Sequence, residues 1–133
     1  MPAFAVTPMP SLTILRKSFS YAIKGIVRVT REEQNFRIQL AVGAAVVAAM
    51  CILDLSTAER ALLTLAIVLV LVLELMNSIF ERMVDILKPR IHHYVEDIKD
   101  IMAGTVLVAA IGAVLIGFLI FGPHFVTLFI SGS

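Results

Sequence analysis

The sequence predicts an all-α integral membrane protein, in which an N-terminal amphipathic surface helix precedes three transmembrane helices. Three stretches, residues 36–53, 61–80 and 101–121, are long and apolar enough to cross a membrane. Residues 11–31 instead place apolar and basic side chains at helical spacing. The mean hydropathy of +0.97 and the charged fraction of 16% indicate more apolar surface than a soluble core of 133 residues could enclose. We therefore expect one membrane domain, preceded by a flexible leader at residues 1–10 that lacks the features of a signal peptide.

The surface helix is expected to begin at Ser11, a residue type that caps helix N-termini. Its apolar face comprises Leu12, Leu15, Phe19, Ala22, Ile23, Ile26 and Val27, and its basic face Lys17, Lys24, Arg28 and Arg31. Such a helix lies in a membrane interface or packs on a partner helix with its basic face in water, and the two arrangements are compatible. Tyr21 falls on the polar side, where its ring is available to a ligand.

The first two spans carry local signals of packing and of helix ends. Residues 41, 45 and 49 are alanines, a small-residue repeat that allows another helix to approach closely. Ser56 and Glu59 match a capping box, so the second helix is expected to start near Thr57. This helix continues past its apolar part, residues 61–80, to about residue 87, since Pro89 disfavours helix at the residue before it.

The third span is expected at residues 101–121, after a polar connection over residues 88–100 and before a Gly122-Pro123 stop. Orientation follows from the number of Lys and Arg residues near each membrane surface. There are six on the N-terminal side (Arg16, Lys17, Lys24, Arg28, Arg31, Arg37), one in the first connection (Arg60) and four around the second (Arg82, Lys88, Arg90, Lys99). The N-terminus and second connection are therefore predicted to be cytoplasmic and the C-terminus external.

A polar stripe marks the second span. Its members are Glu74, Asn77, Ser78, Glu81 and Asp85, which fall within an arc of about 100° on a helix. If the span begins at residue 61, Glu74 lies about 20 Å along it, where a carboxylate costs roughly 2.5–3.5 kcal/mol. A single such residue can be a structural hydrogen bond between helices, but five on one stripe favour a functional site.

The predicted topology brings charged residues of three helices to one surface. Glu33 precedes the first span, Glu81 leaves the second, and Lys99-Asp100 begins the third. Carboxylates that share Mg²⁺ with phosphates suit phosphoryl transfer, so Glu33 and Glu81 are candidate magnesium ligands and Lys99 a candidate counter-charge. Glu74, slightly deeper, is a candidate acceptor of the proton of a lipid hydroxyl.

Other site classes have little support in the sequence. No phosphate-binding P-loop motif occurs, and a net charge of +1 does not favour nucleic-acid binding. Cys51 is the single cysteine, so no disulfide framework exists. His92 and His93 lack partners at zinc-ligand spacing and are expected to be ordinary loop residues, although His92 is also a candidate for contact with nucleotide.

The residues resemble a known family. Residues 74–85, ELMNSIFERMVD, followed fourteen residues later by Lys99-Asp100, are similar to the signature of the prokaryotic diacylglycerol kinases. Upstream, Ser18-Phe19, Tyr21-Ala22, Gly25-Ile26 and the segment Glu33-Gln34-Asn35-Phe36-Arg37-Ile38 resemble its undecaprenol kinase branch. The resemblance implies a homotrimer in a bacterial cytoplasmic membrane, with active sites shared between subunits and with ATP, Mg²⁺ and a membrane lipid as reactants.

The resemblance also implies residue roles. Glu74 would be the general base and Asn77 would order the site. Glu33 and Glu81 would bind the Mg²⁺ of ATP, and Lys99 would contact the phosphates with support from Asp85 and Asp100. Tyr21 and His92 would line the nucleotide pocket. The chain departs from the family pattern at Ile79 and Phe80, which are bulky, and at Arg90 and Ile91 before the histidines.

The expected function is therefore ATP-dependent phosphorylation of a membrane lipid hydroxyl, on either diacylglycerol or undecaprenol. A small oligomeric proton or ion carrier would also bury a carboxylate, but it would not need Glu33, Lys99 and Asp100 at one surface. A non-catalytic assembly subunit would use Glu74 and Asn77 only as hydrogen bonds between helices.

Overall fold

The computed structural model describes residues 11–87 and 92–131 and contains four α-helices there. They are α1 (Leu12–Glu32), α2 (Gln34–Ile52), α3 (Thr57–Leu87) and α4 (His92–Ser131). Three of them contain segments long and apolar enough to cross a membrane: Gln34–Ile52, Thr57–Ile86 and Tyr94–Thr127. The predicted all-α class with three candidate spans is confirmed.

Helix α1 begins where the sequence predicted. The Ser11 side chain caps it by accepting a hydrogen bond from the Ile14 N–H at 3.4 Å. The helix buries none of its residues in the single chain, and Leu12 and Phe19 of its apolar face are 85% and 63% exposed. Its apolar face is thus available to lipid or to another subunit, and its place in the membrane interface stays a prediction.

Helices α1 and α2 are separated by one residue. Glu33 has an extended backbone (φ −105°, ψ 117°), and its N–H donates to the Val29 carbonyl at 2.8 Å. The Arg37 guanidinium reaches back and donates to the Arg31 carbonyl at 3.0 Å, which satisfies an end group of α1. Helix α2 therefore starts at Gln34, two residues earlier than the predicted span, and Glu33 becomes the joint between two helices.

Helix α2 approaches α3 through a glycine. Gly43 is buried, and a Cβ atom added there would lie 3.1 Å from Cγ2 of Ile67. Ala41 and Ala45 of the predicted small-residue repeat remain exposed in the single chain. The close contact of α2 within this chain therefore uses a different position from the alanine repeat.

The predicted capping box forms at the start of α3. The Ser56 N–H donates to Oε2 of Glu59 at 2.7 Å, and the Glu59 N–H donates to Oγ of Ser56 at 3.3 Å. The Arg60 guanidinium donates to the Leu55 carbonyl at 3.1 Å and so holds the short connection from α2. Helix α3 starts at Thr57, as the sequence predicted.

Helix α4 is longer than expected at both ends. The connection predicted over residues 88–100 was wrong in its second part, because α4 already begins at His92. Val95, in its first turn and a half, is buried, as is Val84 of α3, so apolar burial accompanies the early start. The predicted stop at Gly122-Pro123 was also wrong, since α4 runs through Pro123 to Ser131.

The residue before the proline lowers the cost of continuing α4 through Pro123. A proline in a helix lacks an N–H donor, its ring clashes with the carbonyl four residues earlier, and it crowds the Cβ of the preceding residue. Gly122 has no Cβ, so the last of these three costs is absent here. The Pro123 carbonyl also accepts a hydrogen bond from the Thr127 hydroxyl at 2.9 Å.

Helices α3 and α4 make the most extensive contact in the fold. Leu63 of α3 and Ile120 of α4 form an apolar core with Met50 of α2 and Leu55 of the short connection.

Candidate functional site

The polar stripe of α3 lies on the side of the helix that faces the rest of the chain. Glu74, Asn77 and Ser78 are only 4%, 9% and 3% exposed. They continue the face that carries the buried residues Ala66 and Val70 one to three turns earlier. The core-facing side of α3 therefore changes from apolar to polar along one helix, which is the arrangement that the sequence predicted.

Helices α2 and α4 flank this polar face, and the three helices line an open cavity of about 290 Å³. Glu74, Asn77 and Glu81 of α3 line it together with Asn35 and Gln39 of α2. The side of α4 is apolar and contributes Ala103, Val106, Leu107 and Ala110. Polar groups from two helices thus converge opposite an apolar wall.

Asn77 holds the Glu81 carboxylate by a hydrogen bond, but only one of its own two polar atoms has a partner among the described residues. Its Nδ2 donates a hydrogen bond to Oε1 of Glu81 at 3.1 Å. Its Oδ1 is buried and has no hydrogen-bond partner among the described residues. Because an unsatisfied buried acceptor costs roughly 1–3 kcal/mol, this oxygen is suited to a ligand that brings a donor or a cation.

A line of charged groups extends from the cavity towards the ends of α2, α3 and α4. Glu33 and Glu81 are close enough to act electrostatically on the Glu74 carboxyl. Glu81 acts in the same way on Lys99, whose Nζ donates to Oδ1 of Asp85 at 2.8 Å. Five of the predicted site residues are therefore linked by electrostatic interactions, and we call them the charged cluster (Glu33, Glu74, Glu81, Asp85 and Lys99).

The remaining predicted site residues are less closely associated with the charged cluster. Tyr21 is exposed on α1, where its ring centre lies 5.9 Å from Nζ of Lys24. Asp100 is exposed on α4, next to Lys99 in sequence. The side chain of His92 lies outside the described residues. The roles of these three residues, like those of the charged cluster and Asn77, stay predictions.

Several residues of this region had no predicted role in the site. Asn35 and Gln39 line the cavity, and their spacing of four residues in an otherwise apolar helix was a usable signal for a shared face. Arg82 forms ion pairs with Glu32 at 2.9 Å and with Glu33 at 3.5 Å. Its sequence context, directly after Glu81, gave no indication of partners fifty residues away.

An apolar cavity of about 590 Å³ lies next to the polar one. It is lined by α2, α3 and α4 through residues such as Val46, Leu71 and Phe118. Gln39 lines both cavities and therefore marks the boundary between them. An amphiphilic molecule placed across this boundary would have its polar end near Glu74 and its hydrocarbon part among apolar side chains.

The donors in the polar cavity fit a hard divalent cation that is shared with a substrate. No three His, Cys, Asp or Glu side chains within residues 11–87 and 92–131 are grouped closely enough to hold a metal ion by themselves. Mg²⁺ usually takes one or two carboxylates and completes its shell with water and phosphate oxygens. Glu81 with the unpaired Oδ1 of Asn77, and Glu33 nearby, provide donors of that kind.

Comparison with known proteins identifies the family. Residues 20–121 match the prokaryotic diacylglycerol kinase family. The chain is 38% identical to a diacylglycerol kinase of Synechocystis over 114 residues, which cover 85% of this chain and 65% of that protein, a little under two thirds of its length. It is 36% identical to the undecaprenol kinase of Bacillus subtilis over 107 residues, or 80% of this chain and 87% of that one.

A further relative has a similar extent. The chain is 34% identical to the diacylglycerol kinase of Escherichia coli over 114 residues, which cover 85% of this chain and 93% of the relative. All three relatives are named as lipid kinases, which is the enzyme class that the sequence predicted. The match covers α2 and α3 in full, parts of α1 and α4, and every residue of the charged cluster. The chain therefore belongs to the prokaryotic diacylglycerol kinase family.

Proposed function

We propose that this protein transfers the terminal phosphoryl group of ATP to the hydroxyl group of a membrane lipid. The observation that carries the proposal is the position of Glu74, a buried carboxyl group in a helix long enough to span a membrane. Its polar cavity adjoins an apolar cavity at Gln39, so a lipid alcohol can present its hydroxyl to Glu74 without leaving apolar surroundings. Family membership supports the same conclusion.

In the proposed reaction, Glu74 accepts the proton of the lipid hydroxyl. The lipid oxygen forms a bond to the γ-phosphorus of ATP while the bond from that phosphorus to the β–γ bridging oxygen breaks, and ADP leaves. A carboxylate that is largely removed from water and lies within reach of a hydroxyl is suited to this proton transfer. Asn77 orients Glu81 through its 3.1 Å hydrogen bond and so keeps the cavity in order.

The phosphates of ATP are proposed to bind at the part of the charged cluster formed by Asp85 and Lys99. Lys99 brings a positive charge and is held by Asp85 at 2.8 Å, which fixes its position before nucleotide arrives. Lys99 would neutralise charge on the transferred group, a form of electrostatic stabilisation that dominates phosphoryl transfer. Asp100 is proposed to support Lys99, and Tyr21 and His92 to contact the nucleotide.

Glu33 and Glu81 are proposed to hold Mg²⁺ together with the phosphates, and Oδ1 of Asn77 is a further oxygen donor on the same side. When bound, the ion neutralises charge on the phosphate oxygens. The chain's own part is to keep two carboxylates, one at the joint between α1 and α2 and one on α3, near one another despite their repulsion.

The lipid acceptor is proposed to be diacylglycerol or undecaprenol, the alcohols for which the relatives are named. Phosphorylation would give phosphatidic acid or undecaprenyl phosphate, respectively. The hydrocarbon part would occupy the apolar cavity between α2, α3 and α4. Ile79 is exposed and Phe80 half-buried beside the polar stripe, so these bulky side chains are positioned to influence which lipid fits.

The assembly is proposed to be a homotrimer in a bacterial cytoplasmic membrane. Many large apolar side chains of α2, α3 and α4 are exposed in the single chain, including Leu65 and Phe118 at 63% and 74%. Such surfaces need lipid or other subunits to cover them. Sites shared between subunits would also bring further residues to the charged cluster.

The test is ATP consumption by purified protein in Mg²⁺-containing micelles, with diacylglycerol or undecaprenol supplied separately. We expect turnover only with lipid, and a loss of about 10²- to 10⁴-fold in kcat for Glu74→Gln, the range of a general base. Glu96→Gln, at an exposed position of α4, is the matched control and should keep full turnover. Lipid-independent turnover, or none with either lipid from a folded oligomer, would contradict the proposal.

A further inference from the structure

Arg82 connects the joint between α1 and α2 to helix α3. Its Nη2 lies 2.9 Å from Oε2 of Glu32 and 3.5 Å from Oε1 of Glu33. Glu32 is the last residue of α1, Glu33 is the joint itself, and Arg82 directly follows Glu81 on α3. The guanidinium group of Arg82 therefore contacts both acids at the joint, and it belongs to the residue directly after Glu81.

The joint needs such a connection because little else fixes it to α3. Glu33 is the only non-helical residue between α1 and α2, and the contacts of α1 are mainly with α2. Arg37 ties the end of α1 to α2 through the Arg31 carbonyl, but it does not reach α3. The Arg37 N–H donates to the Glu33 carbonyl at 3.3 Å and so holds the Glu33 backbone to α2, whereas the Glu33 side chain contacts α3 through the ion pair with Arg82.

The positive charge of Arg82 also acts on the acids around it. Glu33 and Glu81 are close enough to Glu74 to act on it electrostatically, and ionised carboxylates in one region repel one another. Arg82 offsets part of this repulsion from the side of the joint. Its contact with Glu33 is longer than its contact with Glu32, so Glu32 can anchor the guanidinium while an oxygen of Glu33 turns to a cation.

We propose that Arg82 is a positioning residue, which holds Glu33 beside Glu81 so that both carboxylates reach one nucleotide-bound divalent cation. This inference rests on the proposed function. Arg82 would act through Glu33 and would not touch the reacting atoms. Its loss should therefore raise the Mg²⁺ concentration needed for nucleotide binding and leave kcat nearly unchanged once Mg²⁺ and ATP saturate.

The experiment measures binding of a non-hydrolysable ATP analogue by calorimetry, without lipid, over a series of Mg²⁺ concentrations. We expect Arg82→Gln to raise the Mg²⁺ concentration for half-maximal binding by about three- to fivefold, the size expected from partly exposed ion pairs. Arg82→Lys keeps the charge and should recover most of the wild-type value. Arg28→Gln removes the same charge from an exposed position of α1 and should change nothing.

Two further variants separate the possible outcomes. Glu33→Gln should shift the Mg²⁺ dependence more than Arg82→Gln does, because it removes the proposed ligand itself. Glu32→Gln removes the anchor and should give a smaller shift than Arg82→Gln, so it serves as the test if Arg82→Gln does not fold. An Mg²⁺ dependence in Arg82→Gln equal to that of Arg28→Gln, or a fall in kcat with unchanged Mg²⁺ dependence, would overturn the role of Arg82. Absence of lipid-dependent turnover in the wild-type protein would instead overturn the proposed function.

Discussion

At the scale of single residues, Asn77 combines one polar atom that has a hydrogen-bond partner with one that has none among the described residues. Its Nδ2 holds Glu81, but its Oδ1 is buried without a hydrogen-bond partner among the described residues. A buried acceptor in this state costs free energy of folding unless a ligand satisfies it. The same atom is then available when substrate or cation enters the cavity.

This arrangement predicts that Asn77→Leu affects activity much more than stability. Removing the residue that orients Glu81 should lower lipid-dependent turnover by about 10- to 100-fold, as is typical for residues that orient metal ligands. Removing the unsatisfied oxygen favours folding while losing the hydrogen bond to half-buried Glu81 disfavours it, so the midpoint of thermal unfolding should stay nearly unchanged. Turnover and unfolding are measured on the same detergent-solubilised preparation.

The control is Thr64→Leu, at an exposed position of α3 far from the cavity, which should change neither quantity. A lower unfolding midpoint or a dissociated oligomer for Asn77→Leu, with turnover retained, would mean that Asn77 serves as a structural hydrogen bond between helices. That outcome would agree with an assembly subunit rather than an enzyme.

The sequence predicted some of these residues better than others for a physical reason. The stripe containing Glu74, Asn77 and Glu81 follows from helical periodicity, which is a local property of one segment. The ion pair between Arg82 and Glu33 depends on how α2 meets α3, and no local pattern encodes that contact. Residue roles that need two elements therefore became visible only in the folded chain.

At the scale of helices, Gly43 sets the distance between α2 and α3. A methyl group there would already lie 3.1 Å from Ile67, tighter than ordinary van der Waals contact, so Ile67 would have to shift slightly. A larger side chain would push α2 away from α3. Because α2 carries Asn35 and Gln39 of the polar cavity, the helix distance and the site geometry are linked.

We therefore expect Gly43→Leu to destabilise the protein by about 1–3 kcal/mol, as overpacking usually does. Lipid-dependent turnover should fall in the same variant. Gly43→Ala should have a smaller effect on both, and Gly112→Leu is the control, since a Cβ at residue 112 meets no atom within 4 Å in the single chain. Equal effects of the leucine at residues 43 and 112 would argue against close packing of α2 on α3.

Helix ends were predictable where a side chain makes a local contact and less so where packing decides. The Ser11 cap and the Ser56–Glu59 capping box are short-range hydrogen bonds, and both helices begin where these residues indicate. The start of α4 at His92 accompanies burial of Val95, and its end lies beyond a Gly-Pro pair. At the start of α4, tertiary burial thus outweighs the polar local sequence.

At the scale of the whole molecule, the fold separates two ends of a membrane-spanning bundle. The charged cluster lies at the end where α2 begins and α3 ends, and the short connection at residues 53–56 lies at the other. From Thr57 to Glu81, α3 is about 36 Å long, slightly more than the roughly 30 Å thickness of a hydrocarbon core. The two ends should therefore face opposite sides of the membrane.

The orientation of this bundle is a testable consequence of its charge distribution. Because Lys and Arg are concentrated at the end with the charged cluster, that end should face the cytoplasm, where ATP is present. In a Cys51→Ala background, a cysteine at exposed Asp54 should react with a membrane-impermeant thiol reagent in intact cells. A cysteine at exposed Gln34 should react only after permeabilisation, and each variant must first retain lipid-dependent turnover. The reverse labelling pattern would place the charged cluster on the side without ATP, and neither the proposed kinase reaction nor the role of Glu74 in it could then stand.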